Sequence, residues 1–121
     1  MAKILVIDDE SQVRMMLREI LEDEGYEVAE APDGKAGLEL FRNEPTDLVI
    51  TDIIMPEKDG LATIRELREI SSDVKIIAIS GGGHVVRTDY LQVAQIFGAQ
   101  RVLRKPVGYN ELLRAVAELL E

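Results

Sequence analysis

The apolar run Ile4-Leu5-Val6-Ile7 passes directly into the acidic run Asp8-Asp9-Glu10. A short, continuous and β-branched run is typical of a parallel strand that is buried on both faces. Two other runs share this character, and two weaker runs carry charge beside their apolar residues, as edge strands do. The sequence therefore predicts five strands, at 4–7, 27–31, 48–50, 76–79 and 101–104.

Segments with helical spacing separate these predicted strands. The first has one apolar face, formed by Val13, Met16, Leu17, Ile20 and Leu21, and Gly25 supplies its C-terminal stop. Further helices are predicted at 34–42, after Asp59-Gly60, at about 88–97 and at 110–120. Because strand and helix alternate five times, the sequence predicts an α/β fold with a parallel sheet and helices on both of its faces.

Composition restricts the possible functions. The chain has 121 residues, so we expect one domain over 1–121 with no output domain. It carries 23 acidic and 14 basic residues, a formal charge of −9, which disfavours direct nucleic-acid binding. No apolar run approaches the ~20 residues that span a bilayer, and no cleavable leader is recognisable, so we expect no membrane insertion and a cytoplasmic location.

The residue inventory also restricts the chemistry. Cysteine is absent and histidine occurs once, at His84, so thiol nucleophiles and histidine-rich metal sites are excluded. We interpret His84, which follows three glycines, as a loop residue rather than a phosphoryl carrier. Carboxylate oxygens remain as the plausible metal ligands, and they suit a hard cation such as Mg²⁺.

Polar residues lie where the predicted strands end. In an open α/β sheet, ligands bind beyond the carboxyl ends of the strands. That edge would bring together Asp8, Asp9, Asp52, Ser80 and Lys105. Two unit charges ~4 Å apart repel by about 4 kcal/mol at an effective dielectric of 20, so clustered carboxylates favour a bound cation. The set indicates phosphoryl transfer to a carboxylate nucleophile.

The sequence resembles the receiver domains of two-component response regulators (CheY-like) over essentially the whole chain. The resemblance is carried by Asp8-Asp9, Asp52, Met55-Pro56, Asp59-Gly60, Ser80 and Lys105-Pro106, in this order and at these spacings. It implies a flavodoxin-like (βα)5 doubly wound sheet of strand order 2-1-3-4-5. It also implies a phosphoacceptor switch rather than a dedicated turnover enzyme.

The resemblance assigns a role to each matching residue. Asp52 would accept a phosphoryl group from a sensor histidine kinase or a histidine phosphotransfer protein, with Lys105 as the phosphoryl-binding cation and Ser80 as the switch hydroxyl. The ligands of Mg²⁺ or Mn²⁺ would be Asp9, Asp52, the backbone carbonyl of Ile54 and, through water, Asp8. A cis peptide bond would precede Pro106. Phosphorylation would change the loops near Ser80 and the surface of the fourth helix, fifth strand and fifth helix, where an unknown downstream protein would bind.

One position departs from the family pattern, and other functions remain open. Val102 stands where receivers commonly carry an aromatic switch residue, so any coupling from Ser80 would use other side chains. A Mg²⁺-dependent phosphohydrolase with an aspartate nucleophile is one alternative, although Ile54 stands where such enzymes generally carry a second acid. A flavodoxin-like binding module and a receiver-shaped adaptor that is never phosphorylated are the others.

Overall fold

The computed structural model describes residues 2–53, 60–80 and 94–120. In chain order the elements are β1 (Lys3–Ile7), α1 (Ser11–Asp23), β2 (Glu27–Ala31), α2 (Gly34–Asn43), β3 (Leu48–Asp52), α3 (Gly60–Ile70), β4 (Lys75–Ser80), the helical residues 94–97 as α4, β5 (Arg101–Arg104) and α5 (Tyr109–Leu120). The five predicted strands are confirmed, and β3 and β4 extend to include Asp52 and Ser80. The first part of the helix predicted at 88–97 lies outside the described residues.

The strands form one parallel sheet in the order β2-β1-β3-β4-β5, which confirms the doubly wound topology. Side chains alternate between its two faces. Leu5 and Ile7 of β1 join a core with residues of α2 and α3, whereas Ile4 and Val6 join a second core with residues of α1 and α5. Because each central strand contributes to both cores, its sequence is apolar throughout. None of the described helices is long and apolar enough to span a membrane.

Helix ends follow the predicted signals in most places. Gly25 and Gly98 have positive φ angles, of 94° and 127°, at the ends of α1 and α4. At α4 the N–H of Ala99 donates to the carbonyl of Ala94, which closes the helix end. One expectation was wrong. Met16, assigned to the apolar face of α1, has 39% of its surface exposed, because only Leu17 and Leu21 on that face point fully at the sheet.

Candidate functional site

Two buried aspartates meet where adjacent central strands end. Asp8 directly follows β1 and Asp52 is the last residue of β3, and their exposed fractions are 1% and 3%. Because β1 and β3 are parallel neighbours, their carboxyl ends lie side by side. Asp8, Asp9, Glu10 and Asp52 each place one carboxylate oxygen within 4.8 Å of the others. We call these four residues the acidic cluster.

Lys105 supplies the positive charge of the site. It follows β5, and its Nζ lies 3.0 Å from Asp8 Oδ2, 2.9 Å from Glu10 Oε1 and 3.0 Å from Asp52 Oδ2. Its ammonium donates hydrogen bonds to Glu10 and Asp52. Burial alone would lower the pKa of Lys105, but its contacts with the three carboxylates together raise that pKa above its ordinary value. The ammonium therefore stays charged at neutral pH.

Asp8 shapes the loop as well as the site. Its Oδ1 accepts a hydrogen bond from the backbone N–H of Glu10 at 2.9 Å, so it turns the chain toward α1. Glu10 precedes the first helical residue, Ser11, and makes no side-chain cap. Burial raises the pKa of Asp8, against the lowering effects of the Glu10 N–H and Lys105. Its Oδ2 is a buried oxygen that faces Lys105 without hydrogen-bond geometry to any described residue.

Ser80 brings a hydroxyl to the same edge. It is the last residue of β4, one residue beyond Ile79, whose register partner is Asp52. Its side chain is buried, and Oγ has no hydrogen-bond partner within the described part of the chain. Its backbone carbonyl accepts from the N–H of Lys105 at 2.9 Å, and the Lys105-Pro106 peptide bond is cis. A buried hydroxyl without a partner is a costly feature that a ligand oxygen would relieve.

Gly60 lets α3 approach the end of β3. A Cβ atom built at this position would lie 2.0 Å from the carbonyl oxygen of Asp52 and 2.4 Å from Cα of Ile53. Only glycine fits so close to another backbone, so Gly60 has a structural role at the start of α3. The other predicted residues of this stretch, Ile54, Met55-Pro56 and Asp59, lie outside the described residues, as does His84.

The acidic cluster fits a hard divalent cation. It offers carboxylate oxygens only, which suit Mg²⁺ or Mn²⁺. The buried Asp8 Oδ2 lacks a hydrogen bond from the described residues, so an oxygen suited to a metal or to its water is present. The structure thus brings together Asp8, Asp9, Asp52 and Lys105, and it places Ser80 at the same edge. The remaining predicted ligand, the Ile54 carbonyl, is outside the described residues.

Two contacts at the site were missed by the sequence interpretation. The sequence indicates no role for Glu10 beyond its place in the acidic run, yet its carboxylate accepts a hydrogen bond from the Lys105 ammonium. Arg14 donates from Nη1 to the backbone carbonyl of Asp8 at 2.6 Å and pairs with Glu30 of β2. Arg14 lies one helical turn after Glu10, but this spacing does not indicate which partner either side chain contacts.

Comparison with known proteins identifies the family of this site. Residues 4–117 match the family model described as the response regulator receiver domain. The chain belongs to that family. Chemotaxis protein CheY of Bacillus subtilis (strain 168) is 35% identical over 120 residues, which cover 98% of this chain and 97% of that protein. A receiver domain from Clostridium thermocellum has a TM-score of 0.89 at 36% identity, covering 98% of this chain and 94% of the other.

Other relatives are longer than this chain. The probable transcriptional regulator ycf27 of Galdieria sulphuraria is 41% identical over 110 residues, which cover 91% of this chain but 42% of that protein. The receiver fold is therefore shared with proteins that carry further sequence. The role common to the family is that of a phosphoacceptor in two-component signalling, and this receiver domain has that role.

Proposed function

We propose that Asp52 is the phosphoacceptor of this receiver domain and that its donor is a phosphohistidine of a sensor histidine kinase or a histidine phosphotransfer protein. The observation that carries the proposal is the position of the Asp52 carboxylate. It ends the central strand β3, has an Oδ2 atom 3.0 Å from Lys105 Nζ, and belongs to the acidic cluster. Each of these features favours the arrival of a phosphoryl group beside a carboxylate nucleophile.

The transfer step needs positioning more than acid–base chemistry. A carboxylate oxygen of Asp52 attacks phosphorus, an O–P bond forms, and the P–N bond to the donor imidazole breaks. The imidazole nitrogen keeps that electron pair and takes up a proton from solvent. Asp52 attacks as the carboxylate, and its Oδ2 lies 3.0 Å from the Lys105 ammonium.

The other residues would stabilise the charge that moves onto the phosphoryl oxygens. Lys105 would bind one oxygen, and the Ser80 hydroxyl, buried and without a partner among the described residues, would donate to another. Asp8, Asp9, Asp52 and the Ile54 carbonyl would hold Mg²⁺ or Mn²⁺. When bound, the cation neutralises part of the phosphoryl charge.

The product would act as a switch rather than as an intermediate of a dedicated enzyme. An acyl phosphate adds about −1.5 to −2 charge beside Ser80 and Lys105. Charge-assisted hydrogen bonds of ~1.5–3 kcal/mol that form only in the active state would shift its population about 10- to 100-fold. The readout would be the loop after Ser80 and the α4-β5-α5 surface, recognised by a downstream protein. Residues 1–121 would act as one receiver unit in this scheme.

The test is chemical phosphorylation followed by intact mass. The protein is incubated with Mg²⁺ and acetyl phosphate, and we expect a single acid-stable, base-labile phosphoryl adduct. Asp52→Asn should lose the adduct. Asp23→Asn, a matched change at the exposed end of α1, should keep it. An adduct that persists in Asp52→Asn would overturn the assignment of Asp52.

The same experiment separates the alternatives. Rapid turnover of many phosphate esters would indicate the aspartate-nucleophile phosphohydrolase. No adduct with Mg²⁺ and donor in excess would indicate an adaptor that is never phosphorylated.

A further inference from the structure

The Lys105 ammonium already contacts three carboxylates before any phosphoryl group arrives. Three carboxylate oxygens lie 2.9–3.0 Å from its Nζ. Two of its three N–H groups donate hydrogen bonds, to Glu10 and Asp52, and Asp8 Oδ2 lies 3.0 Å away without hydrogen-bond geometry. Because the three oxygens crowd the ammonium, we expect one carboxylate to move aside when a phosphoryl oxygen binds to Lys105. The proposed function does not say which one leaves.

The three carboxylates differ in how easily they can leave. The side chains of Asp8 and Asp52 are 1% and 4% exposed, so their oxygens have no nearby water to turn toward. Asp8 is also fixed by the hydrogen bond from the Glu10 N–H. Glu10 has a longer side chain that is 60% exposed, so its carboxylate can move into solvent with little desolvation cost. Exposed ion pairs of this kind are weak.

We propose that Glu10 is the exchangeable partner of Lys105, a positioning residue that occupies the place of a phosphoryl oxygen and is displaced when the donor binds. This rests on the proposed function, because it concerns the same ammonium. Glu10 then holds Lys105 over the site in the unphosphorylated protein. The Glu10 contact slows phosphorylation, because the donor must displace this carboxylate from Lys105 and must approach its negative charge.

The contact of Glu10 with Lys105 and the negative charge of Glu10 would affect phosphorylation by two small phosphodonors differently. Acetyl phosphate is a dianion at neutral pH, and phosphoramidate carries one less net negative charge. In both cases an Asp52 oxygen forms the new O–P bond, and the P–O bond or P–N bond of the donor breaks, releasing acetate or ammonia with the electron pair. If only the contact is lost, the rate constants of phosphorylation by the two donors should rise equally. If the charge is lost, the rate constant for acetyl phosphate, the dianion, should rise more.

Two variants separate these effects. Glu10→Asp keeps the charge but shortens the side chain, and Glu10→Gln keeps the length but removes the charge. Glu39→Gln, on the exposed side of α2, is the matched control for net charge. The rate constant of adduct formation is measured by intact mass at saturating Mg²⁺, with Mg²⁺ affinity determined for each variant by calorimetry.

We expect Glu10→Asp to raise both rate constants about twofold, and Glu10→Gln to raise that of acetyl phosphate about threefold to fivefold and that of phosphoramidate less. Glu39→Gln should match the wild-type protein. Equal rates in all four proteins, or a slower Glu10→Gln at saturating Mg²⁺, would overturn the role of Glu10 and leave Asp52 as the acceptor. No adduct on the wild-type protein would overturn the proposed function, and this inference with it.

Discussion

Arg68 and Lys105 are partly buried cations at opposite ends of the same strands. At the amino ends of β4 and β5, Arg68 donates to the carbonyl groups of Ser71, Ser72 and Val74, and to Gly98 O and Gln100 Oε1, at 2.8–3.4 Å. All of these acceptors are neutral. At the carboxyl ends, Lys105 faces three carboxylates. The two cations therefore have similar burial but acceptors of different charge.

This difference separates a structural cation from the proposed functional one. Buried backbone carbonyls need hydrogen-bond partners in any folded state. Arg68 supplies such a partner to carbonyls that take no part in the proposed chemistry. Burial lowers the pKa of Arg68, and only the more distant Asp73 opposes this. The carboxylates around Lys105 repel one another. Nearby, Ser80 Oγ has no hydrogen-bond partner among the described residues. The carboxyl end thus keeps polar groups available to a ligand, and the amino end does not.

The largest effect that we predict is on Lys105. Lys105→Met should slow phosphorylation of Asp52 by acetyl phosphate about 100-fold or more, the usual loss when one preorganised charge-stabilising donor is removed. The rate of adduct formation by intact mass measures this effect. Arg104→Met, which removes a neighbouring exposed arginine of β5, should change the rate less than twofold, on the order of a lost surface charge. Equal loss in both variants would contradict a specific role for Lys105.

The complementary prediction concerns Arg68. Arg68→Met should lower the free energy of unfolding by about 2–3 kcal/mol, because several carbonyls lose a charged donor at once. Urea denaturation measures this change. The variant should still form the Asp52 adduct at nearly the wild-type rate under native conditions.

Arg65→Met is the control for Arg68. Arg65 lies on the same helix, and its side chain is 71% exposed and forms an ion pair with Glu69. It should cost about 0.5 kcal/mol or less. If Arg68→Met instead abolished phosphorylation while the fold stayed intact, the proposed separation between the two ends of the sheet would be wrong.

The two cations also show which contacts the sequence could predict and which it could not. Lys105 was predicted at the site because it follows a strand and precedes a proline, and strand ends are positions that the topology brings together. The helical spacing of α3 indicates no partner for Arg68, because it contains no information on the turns before β4 and β5. Glu10 and Arg14 were missed for the same physical reason. Periodicity assigns a residue to a helix or a loop, but long side chains find their partners through tertiary packing.

The smallest predicted effect tests whether the buried carboxylate of Asp8, at the carboxyl end of the sheet, lowers the stability of the folded protein. Asp8→Asn, measured in a chelator to remove divalent cations, should raise the free energy of unfolding by about 1 kcal/mol at neutral pH. Burial raises the pKa of Asp8 above 3.8, so the folded chain binds this proton more tightly than the unfolded chain. The contribution of Asp8 to the free energy of unfolding therefore falls as pH rises from 3.8 through the raised pKa.

The advantage of Asp8→Asn should follow the same pH range in the opposite sense. It should be fully present at neutral pH and should disappear as the pH falls below 3.8, where Asp8 is protonated in both states of the wild-type protein. Added Mg²⁺ should reverse the order at neutral pH, because it stabilises the folded wild-type chain by binding to it. A variant less stable than the wild-type protein in chelator at neutral pH would show that the contacts of Asp8 with Lys105 and the Glu10 N–H outweigh its burial. The carboxyl end would then be stabilised by its polar contacts, as the amino end is.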